Sequence, residues 1–139
     1  MRHIYLVPTF LFALMLNVSA YAQEILSARQ ALEQVQAGEI VLLDIRTPQE
    51  WKQTGIASVA ITLSMHEPGF IQGLDKIRQE NAGKKIALIC ATGGRSIFLQ
   101  GELKKRGLGD TINISEGMMG NDRDAGWIKR GLPVKAYKK

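Results

Sequence analysis

Apolar and polar positions along the chain follow two alternating periods. Behind Ser27, the residues Ala28, Ala31, Leu32 and Val35 recur at helical spacing until Gly38, which predicts a helix capped by Ser27. Ile40 to Ile45 is then an almost continuous apolar run broken by Asp44, as a strand covered on both faces reads. Thr47-Pro48-Gln49-Glu50 forms a capping box with proline at the first helical position. It predicts a short helix through about Gln53, ended by Gly55. Val59 to Leu63 reads as a second strand. Phe70, Leu74 and Ile77 place an amphipathic helix over Gly69 to Glu80, closed by Asn81-Ala82-Gly83. Lys85 to Cys90 is a third strand with a doubly buried pattern. Ile97, Leu99 and Leu103 then mark a helix from Ser96 to Arg106, with Gly107 after its basic end. Thr111 to Ile114 reads as a short strand, Asn121 to Gly126 as a loop, and Trp127 to Arg130 as a helical turn before Gly131-Leu132-Pro133-Val134.

Strands and helices alternating at this spacing predict an α/β fold. Its central sheet is expected to be mostly parallel, with helices on both faces. Ligands of such sheets sit at the carboxyl ends of strands, and Cys90 lies at one of those ends.

The first residues do not fit this alternation. Arg2 and His3 precede an apolar run from Ile4 to Val18, and Ala20-Tyr21-Ala22 supplies the small-x-small pattern of a signal-peptidase site. We therefore expect a signal peptide over residues 1–22, cleaved after Ala22, and a single domain over residues 23–139, periplasmic or secreted. The alternative is an uncleaved anchor. The run is about 15 residues against the roughly 20 of a spanning helix, and Pro8 interrupts it. A lipoprotein would need a cysteine at the cleavage point, and the chain's one cysteine is Cys90.

The full chain carries a formal charge of +5. Cleavage removes Arg2 and no acid, which leaves a mildly basic domain at +4. Its cations are scattered (Lys84-Lys85, Lys104-Lys105-Arg106, Lys138-Lys139), which reads as a solvated surface and not as a nucleic-acid interface. The same charge favours small anionic substrates. One cysteine cannot form an internal bridge. In an oxidising compartment it is reactive, paired with another chain, or buried and inert.

The neighbours of Cys90 decide between these. The segment Cys90-Ala91-Thr92-Gly93-Gly94-Arg95-Ser96 joins a buried strand to a helix. The helix directs its N-terminal partial positive charge at the loop. Two glycines allow successive N–H groups to face inward as an anion-binding nest. Arg95 adds a cation. These effects favour thiolate over thiol at Cys90. Thr92 and Ser96 can add hydroxyl donors, with helix capping as the alternative role of Ser96.

Cys-x-x-Gly-x-Arg-Ser after an apolar strand resembles the active-site loop of rhodanese-like sulfurtransferases. Asp44-Ile45-Arg46 followed by Glu50-Trp51, and Gly117 with Trp127…Gly131-Leu132-Pro133-Val134, resemble further motifs of that family. A secreted single domain is similar to the small periplasmic rhodaneses of bacteria. The resemblance implies a rhodanese-like fold and a thiosulfate sulfurtransferase. Cys90 would attack the outer sulfur of thiosulfate, release sulfite, and pass the sulfur from its persulfide to a thiophilic acceptor such as cyanide or a thiol. Ala91, Thr92, Gly93, Gly94, Arg95 and Ser96 would hold the anionic donor and persulfide. No metal or organic cofactor, no nucleic acid and no membrane insertion after cleavage is implied.

Three features depart from the family pattern. Gly55-Ile56-Ala57-Ser58-Val59-Ala60 lacks the family's histidine in this stretch. The segment from Met118 to Gly126 is longer than the family's connection. Ala91 and Thr92 stand where some thiosulfate-using enzymes carry basic residues, which concerns the donor more than the chemistry.

Two alternatives remain. A cysteine phosphatase or arsenate reductase would also use a thiolate, a nest and an arginine. Phosphatase loops of the cell-cycle type, however, have five residues between cysteine and arginine, and usually a histidine before the cysteine. Here four residues intervene, Ile89 precedes, and the loop has no aspartate to act as a general acid. A non-enzymatic sulfur-carrier, redox-sensing or partner-binding module would leave the same sequence. Elsewhere, Asp44 and Arg46 read as a structural ion pair, His66 as a surface residue, Met118-Met119 as a pocket edge or packing element, and Trp51 and Trp127 as core.

Overall fold

The computed structural model describes residues 24–138. The expected signal peptide over residues 1–22 lies outside them. Among the described residues, no helix is long and apolar enough to cross a membrane.

The elements run β1 (Glu24–Leu26), α1 (Ala28–Gln36), β2 (Ile40–Asp44), α2 (Pro48–Thr54), β3 (Ile56–Ala57), β4 (Ile61–Thr62), α3 (Phe70–Glu80), β5 (Lys85–Ile89), α4 (Gly94–Lys105), β6 (Thr111–Ile114), α5 (Gly126–Lys129) and β7 (Val134–Lys135). The central sheet has the order β1-β6-β5-β2-β4, and every neighbouring pair is parallel. The α/β, mostly parallel architecture is the one the apolar pattern predicts. The expected capping box of Thr47 with Glu50 forms, and the cap at Ser27 proves to be a capping box as well, with Gln30.

Alternation along each strand divides the core into two layers. Ile40, Leu42, Ala87, Ile89, Ile112 and Ile114 pack with Ala31, Leu32 and Trp127 of α1 and α5. Val41, Leu43, Ile86 and Leu88 pack with Phe70, Leu74, Ile77, Leu99 and Leu103 of α3 and α4. Cys90 continues the alternation of β5 and joins the second layer, beside the helix that starts four residues later.

Four boundaries differ from expectation. The strand expected over Val59 to Leu63 is only Ile61–Thr62, because Ala60 N–H turns back to the Ala57 carbonyl at 2.9 Å. β1 extends the sheet edge where no strand was expected. Ile56–Ala57 pairs antiparallel with Val134–Lys135 as a separate two-stranded ribbon. Helix α4 begins at Gly94, two residues before Ser96.

Candidate active site

The site is built where β5 ends and α4 begins. Of the two glycines read as flexible, only Gly93 adopts a left-handed conformation, with φ 96°. A Cβ there would lie 2.1 Å from the Ser115 carbonyl oxygen, so this close approach requires glycine. Gly94 is already the first helical residue, and a Cβ on it would meet nothing within 4 Å.

The loop's carbonyls are all engaged by other groups. Met118 N–H and Met119 N–H donate to the carbonyls of Cys90 and Ala91, both at 2.8 Å. The Asn121 amide donates to the Thr92 carbonyl at 3.1 Å. Ser96 Oγ donates to the Gly93 carbonyl at 3.0 Å, and Ile97 N–H donates to it at 3.2 Å. A backbone whose carbonyls are held from the segment after β6 and from α4 is free to present N–H groups to the sulfur. Gly93 N–H does so, 3.1 Å from Cys90 Sγ. Ser96 Oγ lies 3.5 Å from the same sulfur.

Burial works to raise the Cys90 pKa. Against it act the Ser96 hydroxyl and the backbone N–H groups of Ser96, Gly93 and Thr92, and the thiol ends below its ordinary value. Burial alone would describe an inert core thiol. A thiol lowered against its own burial gives up its proton more readily than an ordinary cysteine. Cys90 is buried, at the base of the loop that joins β5 to α4.

Arg95 stands in a different relation to the loop than its sequence position implied. Its Nη1 and Nη2 donate to the two carboxylate oxygens of Glu50 at 2.9 and 2.5 Å. The pair is bidentate and half-buried. Glu50 also accepts from Thr47 N–H at 2.9 Å, closing the cap of α2. The Arg95 hydrogen bond leads the effects that take the Glu50 carboxyl down to about 2. The Arg95 charge near the loop is thus matched by Glu50.

Ser96 is not the helix cap. Gly93 occupies that position without a side-chain bond. Buried in the first turn, the Ser96 hydroxyl lies 2.6 Å from Asn113 Oδ1, as well as facing Gly93 and Cys90. Thr92 and Gly94 are exposed, and Ala91 is half-buried.

Beside the loop opens a cleft of about 570 Å³, lined by Ile25, Ile97, Asn113 and the Asn121 to Asp124 segment among others. Met118 is buried in the core while Met119 is largely exposed, and His66 is exposed. Asp44 and Arg46 form a fully buried pair at 2.7 Å, joined by Trp51 Nε1 at 3.0 Å from Asp44. Trp127 donates its ring N–H to the Pro133 carbonyl at 2.9 Å.

Three residues of the site escaped the sequence reading. Glu50 looked like a helix cap and family motif, with no sign of its reach to Arg95. Asn121 sat unremarked in a polar loop. Asn113 did leave a signal: an amide inside the apolar strand Thr-Ile-Asn-Ile needs a buried partner.

The rhodanese-like domain model matches residues 27–121. An uncharacterised protein of Rickettsia prowazekii is 34% identical over 98 residues, covering 66% of this chain and 80% of that protein. The polysulfide-sulfur transferase homodimer of Wolinella succinogenes is a solved structure 26% identical, with a TM-score of 0.59. The match covers 81% of this chain and 78% of that one. A protein of Rhodopseudomonas palustris described as a possible tyrosine phosphatase shares the fold at 22% identity and a TM-score of 0.57, covering 81% and 85% of the two chains. With the matched region spanning the β5–α4 loop and both core layers, the chain belongs to the rhodanese-like domain family.

Proposed function

We propose that this protein is a sulfurtransferase in which Cys90 carries the transferred sulfur. The observation that supports it best is the sulfur's environment: an otherwise buried thiol, 3.1 Å from Gly93 N–H and 3.5 Å from Ser96 Oγ, at a helix N-terminus. In the first half-reaction the thiolate attacks the outer sulfur of thiosulfate or a related sulfane donor, such as polysulfide. A bond forms between Cys90 Sγ and that sulfur. The donor's S–S bond breaks, and its electron pair leaves with sulfite when thiosulfate is the donor. The anionic persulfide stays beside the same N–H groups. Cyanide or a thiol then takes the outer sulfur, and the Cys90 thiolate is restored.

Phosphoryl transfer is the weaker reading. It needs a ring of donors around a tetrahedral phosphate and an acid for the leaving group. Here the one loop arginine is engaged by Glu50, and the loop carries no carboxylic acid.

Export is part of the proposal. Cleavage after Ala22 leaves every described element whole, since β1 begins at Glu24. The mature protein would then work in the periplasm or outside the cell.

Incubation with thiosulfate is expected to add one sulfur atom to the intact mass, and Cys90→Ala to abolish both this adduct and thiocyanate formation. A wild-type protein that acquires no persulfide from thiosulfate or polysulfide sinks the reading. A persulfide that forms but is never handed on points to a carrier module.

A further inference from the structure

We propose that Asn113 is a positioning residue of this site, whose amide turns to hold the Ser96 hydroxyl toward Cys90 when the sulfur carries negative charge. The inference deepens the reading of Cys90 as the nucleophile, yet its test requires no sulfur donor.

Asn113 lies on β6, next to β5 in the sheet, with only 1% of its surface exposed. An amide at such a place needs a partner, and it has Ser96 at 2.6 Å. Ser96 has one hydroxyl proton and three acceptors around it: Asn113 Oδ1 at 2.6 Å, the Gly93 carbonyl at 3.0 Å and Cys90 Sγ at 3.5 Å. It serves one of them well at a time. With Asn113 Oδ1 facing it, the Ser96 hydroxyl points its proton at Asn113, and the sulfur keeps its own proton and can donate to Ser96 Oγ. A half-turn of the amide brings Nδ2 to nearly the same point. Asn113 then donates to Ser96 Oγ, and the hydroxyl proton is available to a thiolate or persulfide. The thiol proton leaves to water; the amide only reorients. Asn113 is also among the residues that line the cleft.

The other charged groups near Cys90 are placed as follows. Arg95 of α4 is paired with Glu50 of α2, and Asp44 with Arg46 at the end of β2. The buried face of α3 is apolar, with Phe70, Leu74 and Ile77. After β4, Met65 packs into the Cys90 layer and His66 is exposed. The cleft lip carries Asp122, Arg123 and Asp124. Among these groups, the Ser96–Asn113 pair alone can change its donor direction without moving a heavy atom far.

The test is a titration of Cys90 by the ultraviolet absorbance of its thiolate. As the chain's one cysteine, it gives an unambiguous signal against a Cys90→Ala blank. Asn113→Asp, as a carboxylate, can only accept, so above its own titration it is expected to raise the thiol pKa by at least about one unit, tenfold in thiolate fraction. Asn113→Leu, which loses the donor without adding charge, is expected to raise it by about half a unit. On a Ser96→Ala background both shifts should shrink to within about 0.3 units. A titration unchanged in both single variants overturns the proposal. So does a shift of equal size with and without Ser96, which would make Asn113 a source of charge or packing only. Should the buried carboxylate prevent folding, the leucine pair decides by itself.

Discussion

Arg95, in the first turn of α4, grips both carboxylate oxygens of Glu50 in α2, and this one ion pair ties the cap of one helix to the loop that opens another. The Glu50 carboxyl is lowered to about 2 in the folded protein, chiefly by Arg95. A depressed carboxylate stabilises the fold above its unfolded pKa, and the stabilisation is lost as pH falls through the folded value. We expect wild type to lose melting temperature between about pH 5 and pH 2.5 more steeply than Glu50→Gln. Parallel acid-melting curves for the two proteins would remove this role from Glu50. Arg95→Ala leaves Glu50 unpaired beside the loop and is expected to weaken use of an anionic donor, chiefly through KM. Unchanged kinetics would take Arg95 out of the site.

The two glycines of the loop should behave oppositely. At Gly93, an added Cβ meets the Ser115 carbonyl at 2.1 Å and the backbone is left-handed. Gly93→Ala is expected to cost more than about 2 kcal/mol of stability and to disorder the nest. Gly94→Ala meets open space in a helical turn and should range from neutral to a gain of about 1 kcal/mol. Urea unfolding of both variants measures this. Equal losses at the two positions would refute the assignment of the close approach to Gly93.

Asp44 is fully buried and holds Arg46, the Arg46 backbone N–H and the Trp51 ring N–H. Removing it strands a buried guanidinium and a buried indole donor together. Asp44→Ala is expected to destabilise by about 3–5 kcal/mol, read from the midpoint of denaturant unfolding. Because the pair braces the β2–α2 turn and lies outside the sulfur's hydrogen bonds, folded protein at low temperature should still form the Cys90 persulfide. A stable variant with no persulfide would instead place Asp44 in the chemistry.

The proposed export predicts a processed N-terminus. Mass spectrometry of protein from the periplasmic or secreted fraction is expected to give a chain beginning at Gln23. Protein retaining Met1 would exclude cleavage.

The elements legible in the sequence were those with local causes. Helix caps at Ser27 and Thr47 act within three residues, and the apolar runs of β2 and β5 can only be buried on two sides. That pattern also placed Cys90 at a strand end before a glycine loop. Strands β1, β3 and β7 were not legible, because two or three residues carry no period and their pairing partners lie far along the chain. The start of α4 was missed for a related reason. Glycine weakens a helix on its own, and partners of the first turn lie far along the chain, Glu50 at Arg95 and Asn113 at Ser96.

The sequence by itself determined the α/β architecture, the family and the place of Cys90 between a strand end and a helix, since caps, periodicity and motif spacing are short-range properties. Tertiary structure alone decided who holds what around the sulfur. Glu50, 45 residues from Arg95, takes up its guanidinium. Asn113, 17 residues from Ser96, competes for its proton. Met118 and Met119 hold the loop carbonyls so that its N–H groups can face Cys90. Such partners meet only when parallel strands bring the ends of β2, β5 and β6 to one edge. Hydrogen bonds need contact, and contact between distant residues is made by the fold.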